Sequence, residues 1–129
     1  MTRPRVAVAA VAVVLLILTG CGGSDVGRVK GRLTDNGQPV TFARGAQAAV
    51  VFELLGADGQ PDRTKIYSMM LEPDGAFELR SSDGVLPPGT YRVRLDVAGK
   101  EGAKFKKFSA KREVKAGENV IDLDLAKPN

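Results

Sequence analysis

The chain has 129 residues, with 19 Lys and Arg against 15 Asp and Glu, a formal net charge of +4, one cysteine and no histidine or tryptophan. This length suits one domain of ordinary size and is short for two. The residue types exclude a disulfide within the chain and any triad, general base or metal site built on histidine.

In chain order, the first element is an export signal. Residues 1–5 carry Arg3 and Arg5 and no acid, and residues 6–18 (VAVAAVAVVLLIL) form an unbroken apolar run. The run suits the core of a signal peptide and is shorter than the roughly 17–25 residues of a membrane span. It ends in Leu18-Thr19-Gly20-Cys21, which resembles the bacterial lipobox, Leu-x-Gly/Ala-Cys. The resemblance implies a helical lipoprotein signal peptide over 1–20 and cleavage between Gly20 and Cys21. It also implies a lipid on the Cys21 sulfur that ties the chain to a membrane of the bacterial cell envelope. Residues 21–26 then make the lipidated cysteine and a short linker, ahead of one domain over 27–126. Five residues after Cys21 reach roughly 17 Å when extended, so the domain is expected close to the bilayer. Gly22 stands where similar lipoproteins retained in the inner membrane carry an aspartate. The anchor is therefore expected to face the periplasm or to lie in the outer membrane. Loss of Arg3 and Arg5 with the signal halves the net charge, so the basicity is partly the signal's own and implies no nucleic-acid partner.

The rest of the chain alternates with the period of strands. Residues 28–33 set Val29, Gly31 and Leu33 on one face, and 48–55 (AAVVFELL) read as a central strand buried on both sides. Residues 65–71 (KIYSMML) read the same way. Phe77 and Leu79 alternate with Glu78 and Arg80 over 76–80. Over 91–97, Tyr91, Val93, Leu95 and Val97 oppose Arg92, Arg94 and Asp96. Residues 105–114 alternate from Phe108, with Phe105 out of phase, which predicts a bulge or loose edge. Over 119–125, Ile121, Leu123 and Leu125 oppose Val120, Asp122 and Asp124. Asn36-Gly37, Asp58-Gly59, Asp74-Gly75, Asp83-Gly84, Pro87-Pro88-Gly89 and Ala116-Gly117 punctuate the strands as turns. The expected fold is all-β, a sandwich of about seven strands, with Phe77, Tyr91, Val93, Leu95, Ile121 and Leu123 buried.

The order of Asp35-Asn36-Gly37-Gln38-Pro39-Val40, Asp74-Gly75-Ala76-Phe77 and Pro88-Gly89-Thr90-Tyr91-Arg92-Val93 is similar to the transthyretin-like (prealbumin-like) or carboxypeptidase-regulatory-like β-sandwich. The similarity covers about residues 27–125. It implies an Ig-like architecture and brings no active site, because each matched residue is a folding residue. Related enzymes use residues this chain lacks. Hydroxyisourate hydrolysis of the transthyretin-related kind uses histidines and a C-terminal Tyr-Arg-Gly-Ser. The intradiol dioxygenases hold iron with two Tyr and two His.

The remaining groups point away from catalysis. Asp122 and Asp124 share a strand face, and Asp58, Asp62 and Asp83 sit in turns, without the spacing of a calcium loop. These acids read as solvated strand-face and turn groups, with pairing of Asp122 and Asp124 to Arg92 and Arg94 across neighbouring strands as the alternative. Ser68, Ser81, Ser82 and Ser109 have no histidine to act as base, and a lysine base needs burial, whereas Lys107 and Lys111 lie in the most charged stretch of the chain. No catalytic residue, metal or cofactor is expected. One asymmetry stands out: residues 100–115 carry seven Lys and Arg against Glu101 and Glu113. These lysines either protect an edge strand or, through Lys104, Lys106, Lys107 and Lys111, contact an anionic surface. The expected role is non-catalytic binding or assembly in the envelope, with the membrane, an envelope protein or a polysaccharide as partner. The alternative is a carbohydrate- or small-ligand-binding sandwich using loops 56–64 and 81–90. Exposure of Tyr67 separates the two, because sugars stack on exposed aromatic rings.

Overall fold

The computed structural model of the chain describes residues 26–79 and 85–128. The signal sequence, Gly20, Cys21, Ser81, Ser82 and the Asp83-Gly84 turn lie outside the described residues. Within them the alternating segments become strands β1 (Gly27–Asp35), β2 (Gln38–Pro39), β3 (Ala48–Leu55), β4 (Pro61–Met70) and β5 (Ala76–Glu78). Strands β6 (Gly89–Val97), β7 (Ser109–Val114), β8 (Gly117–Val120) and β9 (Leu123–Asp124) follow, with one helical turn, α1 (Gly102–Phe105), between β6 and β7. Two sheets form. In one, β1 pairs antiparallel with β5 and β2 on one side and parallel with β8 and β9 on the other. The other is fully antiparallel in the order β4-β3-β6-β7. The architecture is an all-β sandwich.

Phe77, Tyr91, Val93, Leu95, Ile121 and Leu123 are all buried in one core with Val29, Leu33, Val50 and Phe52. The Tyr91 ring meets Phe52 and Tyr67 edge-on, and its hydroxyl donates to the Pro87 carbonyl at 2.5 Å. This satisfies the one polar atom of the ring and pins the entry to β6. The Asp74-Gly75 turn returns β4 towards β5. Gly75 takes φ +82, and a Cβ there would lie 2.6 Å from the Val40 carbonyl oxygen. Asp74 closes the turn by accepting from the Ala76 N–H.

Three segments differ from the expectation. Residues 65–71 do not form a strand buried on both faces. Residues 65–70 lie in β4, an edge strand with one face to solvent: Ile66, Ser68 and Met70 face outward, while Tyr67, Met69 and, just past the strand, Leu71 face the core. Residues 105–114 are not one strand: α1 precedes β7, and Phe105 and Phe108 are both buried. Phe108 follows α1 by a turn closed by its N–H donating to the Phe105 carbonyl at 3.0 Å, and this turn brings both rings to the core where alternation could not. Residues 119–125 are split between β8 and β9. At the break the Asp122 carboxylate accepts from the Arg32 N–H at 3.1 Å, where a strand would offer a carbonyl. The Ile121 carbonyl passes beneath Gly31, 1.9 Å from where a Cβ would stand.

The sandwich has two distinct ends. At one, the Gly27 N–H donates to the Leu86 carbonyl, the Gly117 N–H donates to the Val26 carbonyl, and Gly89 pairs with Val114. At the other, Gly102 lies against the Val97 carbonyl and Phe42 packs on Phe105 at 5.7 Å. Strand β6 joins the two ends; its nine residues span roughly 27 Å.

Candidate functional site

Strand β3 carries one charge among apolar residues, Glu53. Alternation points Ala48, Val50 and Phe52 into the core and Val51 and Glu53 to the outer face. No other described element packs on that face, yet Glu53 is only 5% exposed. Its cover comes from the next strand. Arg92 stands directly opposite Glu53 and Arg94 opposite Val51. Their stems lie over β3 and their guanidinium groups converge on the carboxylate. Arg92 Nη2 donates to Glu53 Oε2 at 2.6 Å, and Arg94 Nε donates to Oε1. Arg94 reaches Glu53 as the diagonal neighbour, a separation a long side chain spans.

Burial alone would raise the Glu53 pKa. The hydrogen bonds from Arg94 and Arg92, and their charges, outweigh it and hold the carboxyl below the ordinary glutamate range. The pair is therefore charged at neutral pH. Each arginine spends one N–H on Glu53 and keeps its others. The two guanidinium-bearing side chains are 45% and 42% exposed, against 6% for the Glu53 side chain. The acid is buried beneath two bases that face solvent.

These groups form the floor of an open cleft of about 700 Å³, walled by Gln60, Pro61, Arg63 and Ile66 of β4 and its entry. Part of the loop predicted to bind ligand, 56–64, thus reaches the cleft. In the other predicted loop, 81–90, Leu86 is buried and residues 81–84 lie outside the described residues. Lys111 of β7 is in register with Arg92, which brings one of the four predicted surface lysines into the same row.

The other three lysines are elsewhere. Lys104, Lys106 and Lys107 are exposed on and after α1, at the end of the sandwich far from Gly27. Lys104 Nζ stands 5.0 Å from the centroid of the Phe105 ring. Strand β7 is an edge strand, with Lys111 and Glu113 exposed.

Asp122 and Asp124 do not answer Arg92 and Arg94, because they belong to the opposite sheet. Asp124 instead accepts from the N–H groups of Asn36 and Gly37, both at 2.9 Å, from Ala126 and from the Thr34 hydroxyl, fixing the β1–β2 turn. The bond from Ala126 above all lowers its pKa. Asp58 and Asp62 close local turns onto Gln60 and Thr64. Among the described residues no group of three or more His, Cys, Asp or Glu side chains could hold a metal ion. Tyr67 is half-buried with its ring against Tyr91.

The arginine cluster is hidden in the sequence because AAVVFELL is apolar but for Glu53. Its signal was nonetheless present. An acid inside a strand buried on both faces needs a cationic partner, and 91–97 is a strand with two arginines on one face.

No family model and no curated protein matches the chain. Among solved structures it is similar to a DUF3823 family protein from Parabacteroides merdae ATCC 43184, with a TM-score of 0.51 and 19% sequence identity. The match covers 78% of this chain and 46% of that one, so the chain spans about half the length of its structural neighbour. The likeness is one of fold.

Proposed function

We propose that the protein is a lipid-anchored β-sandwich of the bacterial cell envelope that acts by binding or assembly, without catalysis. Its binding surface is the outer face of the β4-β3-β6-β7 sheet. The observation that carries the binding role is the buried Glu53 carboxylate, which holds two solvent-facing arginines in place over an open cleft. A rigid display of donors on a sheet face is what recognition needs. The membrane anchor rests on Leu18-Thr19-Gly20-Cys21 behind a basic, apolar leader. The half-burial of Tyr67 against Tyr91 favours this reading over a sugar-binding one, since it leaves less of the ring for stacking.

The orientation follows from the two ends. A lipid at Cys21 would hold the Gly27 end towards the bilayer. Lys104, Lys106 and Lys107 would then stand roughly 27 Å further out, the length of β6, beyond the about 8 Å over which a charged bilayer acts at physiological salt. In this reading those lysines face an envelope partner, and the cleft lies nearer the membrane.

Substitution tests the anchor. Cys21→Ser should leave an unprocessed precursor that takes up no labelled fatty acid. Normal processing of that variant would remove the lipoprotein reading.

A further inference from the structure

The outer sheet face presents three arginines to one cleft. Arg92 and Arg94 are fixed by Glu53, and Arg63 stands on the wall. One carboxylate against three guanidinium groups leaves two positive charges in excess. The cluster is thus more than a neutralised buried acid, because a single arginine would have sufficed for that.

We infer that Arg92, Arg94 and Arg63 form a site for a phosphate group, free or esterified. The inference deepens the reading of this sheet face as the binding surface and is independent of the lipid at Cys21. Charge favours it: a phosphate monoester carries about −1.5 to −2 at neutral pH, matching the excess, and a phosphodiester headgroup, with its single charge, meets about half of it. Geometry favours phosphate over carboxylate. A planar carboxylate is satisfied by one guanidinium fork, whereas a tetrahedral phosphate accepts from donors arriving on several sides. Arg92 and Arg94 are two residues apart on β6, so they approach the cleft from adjacent rows, with Arg63 across from them. Glu53 contributes by fixing both forks in advance, which lowers the ordering cost of binding. The phosphate has two chemical sources in an envelope, a soluble phosphate compound or a phospholipid headgroup of the nearby bilayer.

The test follows the side-chain N–H signals of Arg92 and Arg94 by nuclear magnetic resonance, using the full chain in a neutral detergent. Inorganic phosphate is titrated at constant ionic strength against chloride. The expected result is a saturable shift of both signals with phosphate and none with chloride. Arg63→Gln, which leaves the Glu53 pair intact, should weaken the apparent affinity about three- to tenfold. Arg92→Lys keeps the charge over Glu53 but removes the fork, and should weaken it at least as much. A second arm adds phosphatidylglycerol to the micelles without inorganic phosphate. Shifts there identify a headgroup ligand, and shifts with inorganic phosphate alone identify a soluble one. Signals that move equally with chloride, or affinities unchanged in both variants, would overturn the site. A lipidated Cys21 alongside that negative result would confine the failure to this inference.

Discussion

Glu53 illustrates how one side chain organises a surface. Taking a carboxylate out of water is costly unless opposite charge and hydrogen bonds replace the water. Here two arginines supply both. Removing them together (Arg92→Ala with Arg94→Ala) unpairs the carboxylate and uncovers it to water, and should destabilise the domain by about 1–2 kcal/mol in chemical denaturation. On a Glu53→Leu background most of that loss should vanish, because no buried charge remains, and the double-mutant cycle reads the difference. Acid gives the same information. The folded-state pKa of Glu53 lies below its ordinary value of 4.5, so its contribution is present above that pH and fades as pH falls through the lowered value. Wild type should therefore lose stability more steeply than Glu53→Leu below about pH 4.5. Parallel curves would contradict the pairing. Gly31 makes a different residue-scale point. The Ile121 carbonyl occupies the space of its missing side chain. Gly31→Ala should cost about 3 kcal/mol, measured by thermal or denaturant unfolding, while an unaffected midpoint would deny the close approach.

At the scale of elements, strands with clean alternation were legible. Residues 91–97 all lie within β6 because a two-residue period has few competing explanations, and 48–55 match β3 through a short, nearly all-apolar run. Position within the sheet was not legible. Whether 65–71 has neighbours on both sides depends on β3 taking β6 rather than a second strand beside β4, a choice made by the whole fold. The helical turn α1 was hidden for another reason. Four residues are too few to show a helical period, and only burial reveals that Phe105 at its end and Phe108 just after it both enter the core. That turn closes the far end of the core, with Phe105 against Phe42. Phe105→Ala should destabilise by about 3–5 kcal/mol, as shown by a lowered midpoint in denaturant. A loss under 1 kcal/mol would mean α1 is an ornament on a core already closed. The same logic explains the cleft. Its residue types were visible, but their convergence depends on register: Glu53 opposite Arg92 and Arg92 opposite Lys111.

The molecule as a whole is polarised. Its chain enters beside Leu86, Val114 and Gly117, and its densest lysines gather around α1 at the opposite end. A short tether from Cys21 would turn this polarity into orientation, with the arginine cleft on the side wall and the lysine-rich end outward. Everything in that arrangement depends on the anchor. The most direct measurement is the intact mass of the protein extracted from the membrane fraction of its host. The account predicts a chain beginning at Cys21 and carrying the added mass of a diacylglyceryl group, with or without a further acyl chain. A chain that retains residues 1–20, or begins elsewhere with a free thiol at Cys21, would contradict it.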